Sequence, residues 1–208
     1  MEDVLDVYQR SHDPQRPVVC VDETSKQLVA HTRAPTLAEP GHLASEDDEY
    51  KRCGVANIFM ATEPMVGTCV TKVTERRACD DFAYFVQHLC DVTYRDAESL
   101  VLVLDNLSTH SVASLYGAFA PAEARRLTKK LEIHFTPKHG SWLNMAEIAL
   151  SILSRQCLDR RIASIAELTT EVAAWQARHN ADPAPVCWRF TTDDARIKLR
   201  RLYPSREA

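Results

Sequence analysis

Two unbroken apolar runs dominate the pattern of hydrophobic and polar positions, and each of them ends in an aspartate. Residues 17–22 read PVVCVD, and residues 100–105 read LVLVLD. Continuous rather than alternating hydrophobicity is typical of a central strand that is covered on both faces. Residues 55–62 and 67–74 are also β-prone, and the short EPMV segment between them predicts a hairpin.

The remaining periodic segments predict helices. Residues 79–90 have the i, i+3, i+4, i+7 apolar spacing of an amphipathic helix, with Asp80 or Asp81 placed to cap it. Residues 31–50 have no sustained periodicity and predict a long loop. The other predicted elements are helix at 111–130 with a break near Pro121, strand at 131–135, and helix at 141–157, 165–180 and 193–202. This order predicts an α/β layer fold.

Asp22 and Asp105 follow the two apolar runs, where the carboxyl ends of parallel strands open onto a ligand-binding crevice. On the strand pattern alone, solvated loop starts are the favoured explanation of the two aspartates, and a shared cation is the alternative. The helix at 141–157 is apolar almost all round, so it is predicted to be packed. Its polar residues lie along one narrow stripe, namely Asn144, Glu147, Ser151 and Ser154. The stripe either faces solvent or lines a crevice in which Glu147 meets the two aspartates.

Three carboxylates that converge repel one another unless a cation lies between them. Hard oxygen ligands suit Mg²⁺ and Mn²⁺, which keep open positions for water and phosphate. Two such ions about 4 Å apart can hold the attacking and leaving oxygens of a phosphodiester. The crevice interpretation therefore points to phosphoryl transfer on nucleic acid.

The composition is that of a globular chain, with 45% hydrophobic and 26% charged residues among 208. No apolar stretch is long enough to span a bilayer, and the acidic N-terminus does not resemble a secretory signal. The seven cysteines form no CxxC pair, which argues against a zinc ribbon or finger. They are interpreted as reduced thiols of a cytoplasmic protein.

Charge is distributed unevenly along the chain, although the net charge is only −4. Residues 1–50 carry eleven acids and four bases, whereas residues 125–161 carry eight bases and three acids. Residues 196–206 carry five bases and no acid. This asymmetry fits a phosphate-facing side on an acidic protein, and it fits ordinary solvated helix faces equally well.

Three linked motifs in the right order resemble the DDE transposases of bacterial insertion sequences, in the mariner-like superfamily (the IS-six-thirty group). They are VVCVDE around Asp22, LVLDNLSTH around Asp105, and IHFTPKHGSWLNMAE before Glu147. The segments SRQCLDRRI and WRFTTDDARIKLRRLYP are also similar to that family, so the resemblance covers nearly the whole chain.

The resemblance implies a ribonuclease-H-like α/β fold with a central mixed five-stranded sheet flanked by helices. It implies that Asp22, Asp105 and Glu147 are the catalytic residues and bind two Mg²⁺ or Mn²⁺ ions. The implied reaction cuts double-stranded DNA at transposon ends and joins the freed 3′-hydroxyl to target DNA at a TA step. The implied assembly is a homodimer on DNA, in the cytoplasm and away from membranes.

Six further residues are candidates for contacting DNA or orienting a metal ligand: Asn106, His110, Lys138, His139, Asn144 and Arg155. Asn106 and His110 follow the second aspartate, although turn formation also explains Asn106. Lys138 and His139 precede the helix that carries Glu147, where a helix N-terminus can hold a phosphate, and an exposed turn is the alternative.

Trp142 and Glu23 lie close in sequence to candidate site residues but are interpreted as structural. Trp142 could stack on a base, but its position beside Leu143 favours core packing. Glu23 falls on the opposite strand face from Asp22 and is therefore not expected to be a ligand.

The chain is expected to be a single catalytic domain over 1–208, with its core at about 17–157 and a C-terminal helical extension at 158–208. The N-terminal helix-turn-helix region of full transposases is expected to be absent. An inactive truncated transposase that binds DNA or dimerises as a regulator is the alternative function. A different nuclease or integrase on the same fold is a third possibility.

Overall fold

A computed structural model of the chain describes residues 1–203 except 35, 37, 42, 44–46, 108, 109 and 139. Its strands are β1 Val18–His31, β2 Tyr50–Glu63, β3 Thr68–Thr74, β4 Leu100–Leu104 and β5 Leu131–Phe135. They form one sheet in the order β3-β2-β1-β4-β5. The β1–β2 and β2–β3 pairs are antiparallel, whereas β1–β4 and β4–β5 are parallel. The expected mixed five-stranded sheet is confirmed.

Seven α-helices accompany the sheet in the described part of the chain. They are α1 Glu2–Tyr8, α2 Cys79–His88, α3 Val112–Ala118, α4 Pro121–Lys130, α5 Ala146–Leu153, α6 Ile165–Ala181 and α7 Thr192–Lys198. Single π-helical turns follow α2 and α5, at Leu89–Thr93 and Ser154–Leu158. The predicted helices at 79–90 and 165–180 are confirmed, and so is the break at Pro121, which starts α4 at its first turn.

Apolar side chains on both faces of the sheet divide the core into layers. Val19 and Val21 point toward α2, α3 and α4, where the core includes Phe85 and Leu127. The alternate residues Val18 and Cys20 point to the other face, where α1 and the start of α5 pack. Further along that face, β2 packs against α5 and α6. Helices therefore cover both sides of the central strands, as continuous apolar runs predict.

Strand β1 is longer than the apolar run predicted, and this changes the position of Asp22. The strand continues to His31, so Asp22 lies within it rather than at its end. Parallel pairing with β4 stops at Val21 and Leu104, whereas antiparallel pairing with β2 continues to His31. Asp22 is thus the first residue beyond the point where β1 and β4 part.

The helix predicted at 141–157 begins later than its sequence suggested. A 3₁₀ turn occupies Ser141–Leu143, and α5 starts only at Ala146. The prediction also missed α1, whose apolar face is buried. All seven cysteines are free thiols. Among the described residues, no helix combines the length and apolar content needed to cross a bilayer.

Candidate metal-binding and DNA-cleavage site

The parting of β1 and β4 places two aspartates on the same side of the sheet. Side chains alternate along a strand, so Asp22 shares the face of Cys20. Asp105 follows Leu104 and by the same alternation shares the face of Val103, which packs with Cys20. Beyond Val21 and Leu104 the two strands are no longer paired, and the Asp22 and Asp105 carboxylates border the gap that opens between them.

The third carboxylate is brought to the same opening by Asn144. This buried amide donates a hydrogen bond from Nδ2 to the Val21 carbonyl at 2.8 Å, and its Oδ1 accepts from the Ala146 N–H at 3.2 Å. One side chain therefore ties the start of α5 to the strand that carries Asp22. Glu147 lies in the first turn of α5 and is exposed.

Asp22, Asp105 and Glu147 line a single open cavity of about 380 Å³. Its other lining residues are Glu23, Thr24, Ser141, Leu150, Ser151 and Ser154. The predicted polar stripe therefore faces this cavity with Glu147, Ser151 and Ser154. Asn144 was placed on the same stripe but turns inward and is 1% exposed, because it precedes the helix.

Electrostatics couples the three carboxylates. Burial is the largest cause that raises the pKa of Asp22, which reaches about 7, and the N–H of Glu23 opposes the rise by donating to Asp22 Oδ1 at 2.8 Å. The negative charges of Asp105, Glu23 and Glu147 raise this pKa further. A half-buried carboxylate surrounded by like charges is stabilised in its ionised form by a cation.

The donor set fits a hard divalent cation by its chemistry. Carboxylate oxygens are the ligands that Mg²⁺ and Mn²⁺ prefer, and the open cavity leaves room for water and phosphate. Among the described residues, however, no group of three or more His, Cys, Asp or Glu side chains is arranged to hold a metal ion. The three carboxylates share a cavity without forming a finished coordination shell.

Behind Asp105 lies a buried histidine that the sequence linked to it. His110 is 1% exposed, and its Nδ1 is hydrogen-bonded to Asp105 Oδ1. On the other side of the ring, His110 Nε2 lies 2.9 Å from Glu23 Oε2. Burial alone lowers the pKa of His110, but the hydrogen bond to Asp105 and the nearby carboxylate of Glu23 outweigh it and raise the pKa to about 9. The imidazole is held as a cation between two carboxylates.

The other predicted site residues separate into buried and exposed groups. His110 and Asn144 are buried, so they are placed to orient neighbouring groups rather than to touch DNA. Asn106, Lys138 and Arg155 are exposed. Arg155 follows Ser154, which lines the cavity. His139 lies outside the described residues.

The basic segment 125–161 does not form one free cationic face. Arg126 pairs with Asp91 and Glu123, and Arg160 pairs with Glu171. These internal ion pairs therefore account for two of the eight bases that the sequence concentrates here.

A second, more enclosed cavity of about 340 Å³ is lined mainly by apolar side chains, including Val7, Met65, Val186 and Trp188. No aspartate or glutamate in the described part of the chain lines it, so the described lining does not offer carboxylate ligands to a hard cation. The chemistry that the carboxylates support belongs to the open cavity.

Comparison with solved structures shows the same fold in transposase complexes. The Mos1 strand transfer complex is 14% identical with a TM-score of 0.56, and the match covers 84% of this chain and 50% of that one. The Mos1 mariner paired end complex with Mn is 15% identical with a TM-score of 0.55, covering 86% and 52%. The corresponding complex with Mg is 17% identical with a TM-score of 0.55, covering 84% and 52%. This chain thus spans about half the length of those proteins.

The fold and the acidic cavity define a ribonuclease-H-like domain with a carboxylate site at the parting of its central strands. The family model described as DDE superfamily endonuclease matches residues 17–169. The chain belongs to this superfamily. No curated protein matches the sequence.

The structure also shows a functional candidate that the sequence had set aside. Glu23 faces away from Asp22, as predicted, but its side chain is 3% exposed and meets His110. Its partner is 87 positions further along the chain, so no local spacing could have indicated the pair. The only signal in the sequence was an acid on the strand face predicted to be buried.

Proposed function

We propose that this chain is the catalytic domain of a DNA transposase that cuts phosphodiester bonds at transposon ends and joins the freed 3′-hydroxyl to target DNA. The observation that carries the proposal is the shared cavity of Asp22, Asp105 and Glu147 in a chain that belongs to the DDE superfamily. The fold is that of the Mos1 strand transfer complex and of the Mos1 paired end complexes with Mn and with Mg.

Asp22, Asp105 and Glu147 are the residues that would hold Mg²⁺ or Mn²⁺, in our proposal two ions. Bound there, the ions supply charge stabilisation for the attacking and leaving oxygens of the phosphodiester. The carboxylates reach the cavity from a strand, a strand end and a helix, so a phosphate can approach from the open side.

The remaining residues of the site bind and position DNA. Ser151 and Ser154 present hydroxyls to the cavity, where they can donate to phosphate oxygens. Arg155 and Lys138 are exposed cations that add attraction to the DNA backbone. Two buried residues position these groups: His110 orients the Asp105 carboxylate, and Asn144 fixes the start of α5 against β1. A homodimer that engages two DNA ends completes the proposed assembly.

Cleavage of end DNA tests the proposal directly. The substrate is a labelled duplex that carries the inverted repeats flanking the gene, incubated with Mn²⁺ or with a chelator. We expect nicking and joining in Mn²⁺ only. Asp105→Asn should abolish both reactions while the far-ultraviolet circular dichroism spectrum stays unchanged.

Asp159→Asn is the matched control, since Asp159 is an exposed aspartate that does not line the cavity. Cleavage that survives chelation, or equal cleavage by Asp105→Asn, would refute the proposal. Cleavage without joining would point instead to a nuclease on this fold. A protein that binds no Mn²⁺ but associates with a full-length transposase would be a regulator.

A further inference from the structure

Glu23, His110 and Asp105 form a buried chain of ionisable side chains behind the cavity. The side chains of Glu23 and His110 are 3% and 0% exposed, whereas Asp105 is 21% exposed and reaches the cavity. His110 Nδ1 is bonded to Asp105 Oδ1, and His110 Nε2 lies 2.9 Å from Glu23 Oε2. The chain therefore runs from the core on the α2 side to a proposed metal ligand.

Glu23 also contacts the other strand-borne aspartate through its main chain. Its N–H donates to Asp22 Oδ1 at 2.8 Å. One residue is thus connected to both aspartates, to Asp22 by its backbone and to Asp105 by its side chain through His110. A change of the Glu23 side chain leaves the first connection intact and cuts the second. It also affects a long contact of 4.0 Å between Glu23 Oε1 and Nη1 of the exposed Arg77.

The imidazole between the two carboxylates is held in a fixed plane. The Phe82 ring packs on it with centroids 4.7 Å apart and planes inclined by 34°. The close contact between His110 Nε2 and Glu23 Oε2 falls outside hydrogen-bond geometry, and neither atom has another hydrogen-bond partner among the described residues. They therefore pair as opposite charges rather than through an aligned hydrogen bond.

Stability alone is a weak explanation for such a pair. Removing two charges from water is costly, and a buried ion pair is often no more stable than apolar side chains of similar volume. A hydrogen-bonded partner behind a metal-binding carboxylate has a different benefit, because it fixes the orientation of that carboxylate.

We infer that Glu23 is a positioning residue that acts through His110 to hold the Asp105 carboxylate in the orientation required by a divalent cation. This inference rests on the proposed function. Glu23 borders the cavity, but its side chain is only 3% exposed and its carboxylate is directed at His110, so in this inference it acts on Asp105 and is not itself a ligand of the cation.

Mn²⁺ affinity, followed by electron paramagnetic resonance of free Mn²⁺ and without DNA, measures this role directly. Glu23→Gln keeps the shape of the side chain and removes its charge. We expect it to weaken Mn²⁺ binding about 10- to 100-fold, as loss of a group that orients a metal ligand does. Glu63→Gln is the matched control. Glu63 is a buried glutamate at the end of β2, its Oε1 lies 3.0 Å from His12 Nε2, and it does not line the cavity.

A double-mutant cycle with His110→Asn tests whether Glu23 acts through the histidine. The double variant should bind Mn²⁺ no more weakly than His110→Asn alone. Fully additive losses would overturn the inference, as would unchanged binding in Glu23→Gln when the wild type binds. Loss of the fold in both single variants, with Glu63→Gln folded, would assign the pair to folding and also overturn it. Absence of Mn²⁺ binding by the wild type would overturn the proposed function together with this inference.

Discussion

The two sides of the carboxylate cavity differ in how firmly they are held. On the strand side, Asp105 is bonded to a buried histidine and Asp22 accepts a backbone hydrogen bond. On the helix side, Glu147 is exposed, and no described residue donates a hydrogen bond to its carboxylate. One half of the site is organised by the fold, and the other half is left free to move toward a ligand.

The difference follows from the elements that carry the residues. Strand β1 stays paired with β2 at Asp22 and beyond, and Asp105 directly follows β4, which is paired with both β1 and β5 up to Leu104. Alternation along the strands therefore sets the direction of both side chains. Glu147 extends from the first turn of a helix of eight residues, whose position is tied to β1 by Asn144. The backbone of this turn is anchored while its long side chain keeps its rotamer freedom.

Glu147→Gln should separate activity from stability most clearly. Loss of a metal-binding carboxylate removes several kcal/mol of transition-state stabilisation, so cleavage of end DNA should fall about a thousandfold. The unfolding midpoint of the metal-free protein should stay the same, because the side chain is exposed and makes no described hydrogen bond. A large drop in that midpoint would show that the helix side is also part of the folded framework.

Asp22→Asn should stabilise the metal-free protein, on the order of 3 kcal/mol at pH 8. The folded pKa of about 7 lies above the ordinary value of 3.8, so the folded state loses stability as the pH rises between these values. The gain should therefore be complete above pH 7 and vanish below about pH 4. Urea unfolding at several pH values measures it, and an equal gain at pH 3.5 would contradict the electrostatic cause.

Asn144→Ala should destabilise the protein by about 2 kcal/mol, because it leaves the Val21 carbonyl buried without its donor. The same variant should reduce cleavage, since α5 loses its tie to β1. Ser154→Ala is the control for a polar group that lines the cavity but is exposed, and its unfolding free energy should change by less than about 0.5 kcal/mol. Equal losses of unfolding free energy in the two variants would show that Asn144 does not anchor α5 more firmly than a residue that only lines the cavity.

Glu132→Gln gives the baseline for a charged network away from the cavity and should cost less than about 1 kcal/mol. Burial alone raises the pKa of Glu132, but bonds from Arg10, His134 and Arg16 lower it to about 2. The wild type therefore gains stability above the ordinary pKa of 4.5 and loses it as the pH falls toward 2. The difference between wild type and variant, measured by urea unfolding, should disappear over that interval.

Elements that contain a short continuous apolar or β-prone run were predictable from the sequence. The run LVLVL forms the fully buried β4, and the β-prone segments around EPMV form the hairpin of β2 and β3. These segments bury apolar side chains whatever their distant partners are. The cavity was predictable to the extent that Asp22, Asp105 and Glu147 were expected to meet, and all three line it.

The features that were missed depend on distant partners. The part of β1 beyond Asp22 contains Glu23, Ser25 and Lys26 and has no continuous apolar run, but pairing with β2 makes it a strand. Trp142 was expected to pack in the core but is 44% exposed, and its ring meets Phe190 edge-on. The chain turns there in a 3₁₀ segment that buries Leu143 instead.

Strands β1 and β2 stay paired beyond the point where β1 and β4 part, so residues on β2 lie at regular, known distances from Asp22. Asp22 is opposite Met60, and Cys53 lies seven residues earlier on β2, which corresponds to roughly 23 Å along the strand. Cys53 is an exposed free thiol. With the other two exposed thiols, Cys79 and Cys187, replaced by serine, a nitroxide on Cys53 would report its distance to paramagnetic Mn²⁺ and thereby locate the ion without crystals.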